Sequence, residues 1–434
     1  MTERDPVRRA VALAFRRLLP LLVLMHVIAY ADRVNITFAE TEISNDLALS
    51  ATVYGLAAGI FFASYVALEI PSNLVLHRLG ARLWMGRIMI SWGIVAAATA
   101  FVWDGASLIV ARILLGVGEA GFFPGVVYLI SCWFPESDRA RAMGVFMLGI
   151  VIAAVVGGPL SGGLLELDGV LGLDGWQWLF LGQGLPAIAV GGWVLRALPS
   201  SPADAPWLAD DERYALTRRL ASESAARERG SSFTLRGALT DRRILHCAAV
   251  YFTINFASYG TIFWIADIIE RISAGIEGIE LGLLAGLPMA LGSAGLIVIG
   301  RRSDSSGDRR RWVVIGMLLG ALGLAATALL PAEAGPLTLG LCAFGLLGAI
   351  PAFWAMPTSL LTGRPAAGGI ALINTIGVTG GIFGPVVVGA AKDAGSLEAG
   401  LGVLAVVLLG GAAMASRLPF VAREPALEPS AASL

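Results

Sequence analysis

Charge is scarce in this chain of 434 residues, because only 15% of them are charged whereas 56% are hydrophobic and the mean hydropathy is +0.76. A soluble globular domain carries roughly 25% charged residues, so this composition excludes that class. Histidine and cysteine are also scarce, with three of each, and Cys132, Cys247 and Cys342 lack the spacing of metal ligands. We therefore expect a membrane protein whose cysteines are packing residues, with no metal and no cofactor.

Twelve apolar segments are long enough to cross a bilayer, which takes about 20 residues of helix. They cover approximately residues 18–39, 53–76, 84–103, 107–132, 142–165, 176–197, 244–266, 279–300, 312–331, 336–361, 368–391 and 397–416. Such spans must be helices, because hydrocarbon offers no partner to open backbone groups and the segments are too long for barrel strands. The predicted fold is an all-α membrane protein with twelve transmembrane helices.

A long polar stretch divides the twelve spans into two groups of six. The predicted units are a cytoplasmic N-terminus, a six-helix bundle, a cytoplasmic linker, a second six-helix bundle and a cytoplasmic tail, at 1–17, 18–198, 199–243, 244–416 and 417–434. Acidic and basic residues at helical spacing in the linker predict a surface helix over 208–230. A charge run of this kind is usually a solvated face, so we assign it no catalytic role.

Arginine is distributed unevenly over the connecting segments, and the chain has one lysine, Lys392. Nearly all arginines outside the spans lie before span 1 and after the even-numbered spans, whereas the alternate segments are acidic and hold only Arg271 and Lys392 as cations. Positively charged loops tend to stay in the cytoplasm. Both termini are therefore predicted to be cytoplasmic, in a multi-pass protein of the inner membrane.

The two halves of the chain resemble each other. HRLGAR after span 2 corresponds to DSSGDR after span 8, and GGPLSGG in span 5 corresponds to GGIFGPVVVG in span 11. Aligning Gly80 with Gly307 and Pro159 with Pro385 gives offsets of 227 and 226, which differ by one residue. Duplicated halves are a transporter architecture, with the substrate site at the membrane midplane between them.

The first apolar segment also has features of a secretory signal, because residues 29–31 (Ala-Tyr-Ala) have the form of a cleavage site and follow two arginines. The duplication decides against cleavage, since the offset of 226 places span 1 on span 7 and cleavage would leave span 7 without its counterpart. Asp32 and Arg33 are therefore predicted to remain in the membrane. Polar groups are costly there and usually functional.

Six motifs together resemble a known family. They are YADRVN in span 1, EIPSNLVLHRLGARLW closing span 2, RILLGVGEAGFFPG in span 4, GWQWLFLGQGLPA opening span 6, AFWAMPTSLLTG in span 10 and GIALINTIG in span 11. In this order, over about residues 15–416, they resemble the anion:cation symporter branch of the major facilitator superfamily. Within it they are most similar to bacterial permeases for phthalate, tartrate, hydroxyphenylacetate and hexonates. The resemblance implies two pseudo-symmetric six-helix bundles.

Buried charge is predicted in the first half alone. The offset of 226 places each charged residue on a neutral one: Asp32 on Ser258, Arg33 on Tyr259, Arg112 on Thr338 and Glu119 on Gly345. Charges needed by the shared framework would be present in both copies, so their restriction to one half indicates a functional site.

Arg33 is the first candidate for anion binding, because a guanidinium stays protonated and its donors match a carboxylate. Tyr30 lies one turn earlier on the same face and adds a hydroxyl group, whereas Asn35 is predicted to be a packing contact. The resemblance agrees, since the arginine of the family's Asp-Arg pair contacts the substrate carboxylate. The other predicted substrate-binding residues are polar and aromatic: Tyr65, Arg112, Tyr251, Asn255, Tyr259, Trp354 and Asn374. The aromatic ones favour an aromatic or hydroxylated acid.

Asp32 and Glu119 are the predicted proton-coupling residues. Low dielectric favours a neutral carboxyl group whereas a nearby arginine favours a charged one, so small movements can switch the charge. Arg112 and Glu119 are seven residues apart, on one face of span 4 and separated by roughly 10 Å. The resemblance implies the same role, because the matching aspartate and glutamate are the family's protonatable pair. The alternative is a static network of ion pairs among these four charges.

The two loop motifs are predicted to latch neighbouring helices on the cytoplasmic side. A glycine permits a tight turn there, while charged groups contact helix ends. The motifs resemble the loop signature of the superfamily, which indicates gating. The predicted gating residues are Glu69, Asn73, His77, Arg78, Gly80, Arg82, Asp304, Gly307 and Arg309.

Three positions depart from the family pattern. Gln183 stands where glutamate is common, Ala266 where proline is common, and residues 378–379 (Val-Thr) where Asn-Leu is usual. The first departure argues against a proton role for span 6. The last one prevents the transfer of any particular substrate from the family.

We predict secondary active transport by alternating access, with proton-driven uptake of a small carboxylate by a monomer in the lipid bilayer, without nucleic acid. A major facilitator exporter or exchanger of drugs or metabolites is the first alternative. Arg33 favours an anion over the lipophilic cations that many exporters carry. A membrane receptor or enzyme is the second alternative, against which the sequence lacks a nucleophile motif, a phosphate loop and an extramembrane domain.

Overall fold

The structure is a computed structural model that describes residues 5–228, 241–272, 278–360 and 366–418. The first half contains α1 (Pro6–Arg17), α2 (Leu19–Val34), α3 (Glu40–Asp46), α4 (Ala51–Leu79), α5 (Ala81–Ala98), α6 (Gly105–Glu119), α7 (Phe122–Trp133), α8 (Glu136–Leu165) and α9 (Gly175–Ala197). The linker contains α10 (Asp210–Glu228). The second half contains α11 (Arg242–Ile262), α12 (Ile265–Ile272), α13 (Gly278–Ser306), α14 (Arg309–Leu329), α15 (Gly335–Leu360), α16 (Ala366–Val378), α17 (Gly380–Asp393) and α18 (Leu397–Ala415).

Within these described ranges, eleven stretches of helix are long and apolar enough to cross a membrane. α11, which is 21 residues long, occupies the position of the seventh span but is not among the eleven. Its first turn carries Arg242 and Arg243, and polar side chains such as Thr253 and Asn255 lower its hydropathy further. With α11 included, the described residues contain twelve transmembrane helices in two six-helix bundles, as the duplication predicts.

Span 4 is interrupted inside the membrane. α6 ends at Glu119 and α7 begins at Phe122, with Gly121 in the left-handed region at a φ of 89°. Ser72 of α4 stabilises this break. Its hydroxyl group donates a hydrogen bond to the carbonyl oxygen of Ala120 at 2.6 Å. Backbone that leaves a helix at membrane depth needs such a partner. The break places the Glu119 carboxylate at a helix end beside α4.

The two faces of the bundle are distinguished by the helices that pack there. On one face α10 packs against α1, where Arg9 contacts Asp211 at 2.7 Å and Glu212 at 3.0 Å. On the opposite face α3 meets α12, and the Thr41 hydroxyl group donates to Glu270 at 2.7 Å. We call these the α10 side and the α3 side.

The two halves meet tightly at the α3 side. α8 crosses α13 at glycines, such that a Cβ atom added at Gly158 would clash with the carbonyl oxygen of Gly282. α4 meets α17 in the same way, since a Cβ atom at Gly55 would clash with the carbonyl oxygen of Pro385. Small residues let membrane helices approach to backbone contact. The structure is therefore closed between the halves on the α3 side.

Candidate functional site

Arg33 and Glu119 form an ion pair that joins span 1 to span 4. Glu119 is fully buried, and the Arg33 side chain keeps 20% of its exposure. The pair uses a terminal nitrogen of Arg33, whereas its Nε atom has no hydrogen-bond partner in the part of the chain that is described. The guanidinium thus faces one carboxylate and retains donors for another acceptor.

Asp32, next to Arg33 in the sequence, has different partners. Its Oδ2 atom accepts a hydrogen bond from the Trp92 indole N–H at 2.6 Å, and its Oδ1 atom accepts one from the Asn35 amide at 3.1 Å. All three residues are buried. The carboxylate is therefore held by two neutral donors. Asn35, predicted to be a packing contact, is fully buried and also donates this hydrogen bond. Trp92 is a site residue that the sequence did not reveal.

Arg112 lies in α6 and is fully buried. None of its three guanidinium nitrogens has a hydrogen-bond partner among the described residues. The ring of Phe61 lies 5.5 Å from the Arg112 guanidinium carbon and 5.4 Å from that of Arg33. A cation–π contact contributes about 2 kcal/mol when desolvated, less than the several kcal/mol that burial of the ion costs. Arg112 thus carries a positive charge that its neighbours compensate incompletely.

Three phenol groups surround Arg33. The Tyr65 ring centroid is 5.5 Å from its guanidinium carbon, and both Tyr65 and Tyr259 interact with Arg33 electrostatically. Tyr30 is half-buried and is within reach of the same charges. Tyr259 belongs to α11 and packs against Phe62 of α4, with 4.3 Å between ring centroids. These residues of spans 1, 2 and 7 come together at the boundary between the halves.

The remaining predicted binding residues form an aromatic group in the second half. Tyr251 stacks on Phe353 at 5.1 Å and meets the edge of Trp354 at 4.9 Å. The Asn255 amide donates to the carbonyl oxygen of Tyr251 at 2.9 Å, so part of its capacity is used inside α11. Asn374 lies half-buried on α16. This group presents ring faces from spans 7 and 10, without charge.

The two loop motifs turn at Gly80 and Gly307, whose φ angles are 84° and 70°. L-residues rarely adopt such angles, so glycine is required at both turns. Two residues after each glycine, an arginine donates to a carbonyl oxygen of a neighbouring helix: Arg82 to Leu195 at 2.6 Å, and Arg309 to Ala355 at 2.9 Å. Each of these bonds stays within one half.

The other predicted gating residues occupy varied positions. Asp304 lies 3.8 Å from Arg309, Arg78 is exposed, and the side chain of His77 lies outside the described part of the structure. Asn73 faces the break in span 4, since a Cβ atom at Gly121 would lie 3.8 Å from its Oδ1 atom. Glu69 lies one turn from Tyr65 and interacts electrostatically with Arg33. Glu69 is therefore within electrostatic reach of Arg33, and its role in the latch stays a prediction.

A charged cluster that the sequence did not predict closes the α3 side. The ammonium group of Lys392 lies 2.9 Å from a Glu40 oxygen and 2.9 Å from an Asp267 oxygen, and 4.7 Å from the Trp264 ring centroid. Glu40 belongs to the first half, and the other residues belong to the second. Burial raises the pKa of Glu40, and Asp267 raises it further while Lys392 opposes the shift. Two buried carboxylates thus share one cation across the boundary.

A profile of the Major Facilitator Superfamily matches residues 22–385. The chain belongs to the Major Facilitator Superfamily. It is a secondary transporter and not an enzyme. The prediction of superfamily from the six motifs is therefore confirmed.

Relatives of known name cover nearly the whole length of the chain. A protein of Agrobacterium vitis named for tartrate transport is 41% identical over 395 residues, which cover 91% of this chain and 90% of that one. A quinolone resistance transporter of Acinetobacter baumannii is 37% identical and 94% of each chain is covered. The first relative agrees with the branch of carboxylate permeases that the motifs resemble.

The fold matches a solved structure as well. A bacterial homologue of the human lysosomal transporter Spinster, in an inward-facing and occupied conformation, aligns with a TM-score of 0.75 over 95% of this chain and 96% of that one. The sequence identity is 19%, so the likeness concerns the fold alone. The predicted two-bundle, twelve-helix architecture is confirmed.

Proposed function

We propose that the chain is a proton-coupled symporter that takes up a small organic anion, a carboxylate, across the inner membrane by alternating access. The observation that carries this proposal is the ion pair between Arg33 and Glu119. When Glu119 takes a proton, Arg33 loses its counter-charge and its donors become available to a carboxylate. The substrate carboxylate then replaces the Glu119 carboxylate as the partner of Arg33.

The coupling follows from the cost of unpaired charge in low dielectric. An uncompensated buried ion costs several kcal/mol, so the state with protonated Glu119 and no anion is disfavoured. The state with an anion on Arg33 and a charged Glu119 beside it is disfavoured by repulsion. Proton and anion therefore raise each other's affinity, and thermodynamic linkage makes this effect reciprocal.

The other two charges of the site extend this mechanism. Asp32, Glu119, Arg33 and Arg112 sum to zero when all are ionised, and protonation of both carboxyl groups leaves two positive charges. Arg112 has unused donors, which supports its role as a second anion-binding group. The site would thus accept a small acid with one or two carboxylates. The relative named for tartrate transport agrees with a hydroxylated acid.

The distribution of arginine supports assignment of the α10 side to the cytoplasm and the α3 side to the periplasm. The contacts at Gly158 and Lys392 then close the site from the periplasm. The two moving units are the bundles at 18–198 and 244–416, and α10 moves with the first through its contacts with Arg9. One chain supplies both units, so we assign the activity to a monomer.

Reconstitution into liposomes tests this proposal. A thermal-shift screen with tartrate, phthalate, hydroxyphenylacetate and hexonates first selects a ligand, because binding to the folded state raises the unfolding temperature. An inward proton gradient should then drive accumulation of that acid by the wild type. Asp32→Asn and Glu119→Gln should lose accumulation, although exchange of labelled for unlabelled acid persists. Accumulation by either variant with the pH dependence of the wild type would show that the assignment is wrong.

Drug export is a second candidate function, favoured by the 37% identity to the quinolone resistance transporter. Quinolones are themselves aromatic carboxylic acids, so Arg33 offers them the same contact. The two functions differ in the direction of transport and in the size of the substrate. Cells that express the wild type should take up the small acid and gain no quinolone resistance, and uptake should be absent in Arg33→Ala. Quinolone resistance in cells that express the wild type, without uptake of the acid, would favour export.

A further inference from the structure

The Asp32 carboxylate is bound on both oxygens by neutral N–H groups, and Trp92 provides the shorter bond, at 2.6 Å. Trp92 lies in α5, in span 3, and its exposure is 0%. None of the predicted substrate-binding or proton-coupling residues belongs to this span. The indole thus contacts Asp32 from a helix that does not carry the Arg33 site.

The position of Trp92 links both proposed proton carriers. A Cβ atom added at Gly118 would lie 3.1 Å from the Trp92 Cα atom, so the backbone of α5 packs directly on the residue before Glu119. The indole ring meets the edge of Phe122, 6.1 Å away, on the far side of the break in span 4. Trp92 is therefore fixed by span 4 while it donates to span 1.

We infer that Trp92 is a positioning residue that holds the Asp32 carboxylate and sets the pH at which this group takes up a proton. The inference rests on the proposed proton coupling. An indole N–H donates and never accepts, so it binds a carboxylate oxygen and offers nothing to a carboxyl O–H. It therefore favours the charged form, by about one pH unit for a hydrogen bond to a charged group.

Among the described residues, Arg112 and Glu119, both on α6, interact electrostatically with Asp32 and have opposite signs. Arg33, the next residue of α2, pairs with Glu119. α1, α8 and α9 also pack against α2. Residues 142–165 and 175–195 of α8 and α9 contain no titratable side chain, and the arginines of α1 precede α2, at the end of α2 opposite Asp32. The nearest other charge on α5 is Arg87, five residues before Trp92. The neutral indole is thus the closest group that favours the charged form of Asp32 over its protonated form.

Infrared titration of the purified protein in detergent tests the inference without transport. The carboxyl band that disappears in Asp32→Asn reports the protonation of Asp32. In Trp92→Phe, which removes the N–H and keeps an aromatic ring, the midpoint of this band should move to higher pH by about one unit. The matched control is Trp176→Phe, because Trp176 makes the same bond to Asp46, at 2.7 Å, on the α3 side. This control should leave the midpoint unchanged.

A midpoint in Trp92→Phe equal to that of the wild type would overturn the inference. If Trp92→Phe does not fold, benzothienylalanine at position 92 removes the N–H from a ring of the same shape and is read in the same way. The titration also separates this inference from the proposed function. A shifted midpoint in a protein without proton-driven uptake would refute the symport alone, whereas proton-driven uptake with an unshifted midpoint would refute the role of Trp92 alone.

Discussion

Lys392 lies 2.9 Å from Glu40, and this contact joins the last helix of span 11 to the short helix that follows span 1. Lys392 is the one lysine of the chain, and its ammonium group also lies 2.9 Å from Asp267. Glu40 and Asp267 are 3% and 6% exposed, so bulk water solvates neither carboxylate. The α3 side therefore closes with one cation between two buried anions from different halves.

We expect Lys392→Met to open the α3 side. The substitution removes the ammonium group that Glu40 and Asp267 share, and removal of one partner of a buried ion pair costs about 3–5 kcal/mol. Separation of the halves relieves this cost because water then reaches both groups. Spin labels at Leu171 and Leu329, which are 85% and 83% exposed on the α3 side in opposite halves, should report longer distances than in the unsubstituted protein.

Lys392→Arg is the matched control for this experiment, because it keeps the positive charge. Its distance distribution should stay close to that of the wild type. If the distance distribution of Lys392→Met overlaps with those of the wild type and of Lys392→Arg, the glycine contacts alone hold the α3 side closed.

We expect Gly158→Val to have a similar effect through steric contact. A Cβ atom at position 158 clashes with the carbonyl oxygen of Gly282, and the backbone cannot yield as a side chain does. Overpacking costs about 1–3 kcal/mol, enough to shift a balance between two states of similar energy. The same spin-label pair should again report longer distances, and uptake should fall.

The neighbouring residue supplies the control for the glycine contact. A Cβ atom at Gly157 meets nothing within 4 Å, so Gly157→Val should leave distances and uptake near those of the wild type. Equal effects of the two valines would indicate a general disturbance of α8 and not a contact between the halves.

The twelve spans and the charged residues of the site could be predicted because both depend on local composition. A charge inside an apolar segment is visible in the sequence, as Asp32, Arg33, Arg112 and Glu119 were. Their pairing could not be predicted in the same way. Side chains of consecutive helical residues point about 100° apart, so Asp32 and Arg33 face different neighbours. The partner of Arg33 is Glu119, 86 residues away.

Trp92 and Lys392 were missed for a related reason. A tryptophan in an apolar span is usually interpreted as a packing residue. Its hydrogen bond to Asp32 depends on how span 3 packs against span 1. A lysine at the end of a span is usually interpreted as an interfacial charge. Its contacts with Glu40 and Asp267 depend on the approach of α3 and α12. Both contacts cross between helices that are distant in sequence, where periodicity and composition carry no information.

We expect Glu42→Gln to reduce the loss of stability on alkalinisation. The pKa of Glu42 is raised from 4.5 to about 7, chiefly by burial and further by the nearby carboxylates of Asp168, Asp46 and Asp174, while a backbone hydrogen bond from Trp176 opposes the shift. The folded protein then keeps a proton that the unfolded chain loses, so stability falls as the pH rises through this interval. Between about pH 5 and pH 8, the unfolding temperature should fall less in Glu42→Gln than in the wild type.

Glu280→Gln is the control for this pH dependence, because Glu280 is an exposed acid at the start of α13. It should follow the wild type at both pH values. A Glu42→Gln curve parallel to the wild type would mean that Glu42 is already ionised in the folded protein at the lower pH.

We expect Arg112→Met to stabilise the fold while it abolishes uptake of the acid. The guanidinium is fully buried and none of its nitrogens has a hydrogen-bond partner in the described ranges. Loss of this ion removes a desolvation cost of several kcal/mol, against which the fold loses the electrostatic attraction of Asp32 and Glu119 but no hydrogen bond. The unfolding temperature in detergent should rise, whereas the shift induced by the selected acid should disappear. Arg78→Met, at an exposed position, should change neither quantity, and a lower unfolding temperature in Arg112→Met would show that Arg112 is a structural cation whose charge the fold requires.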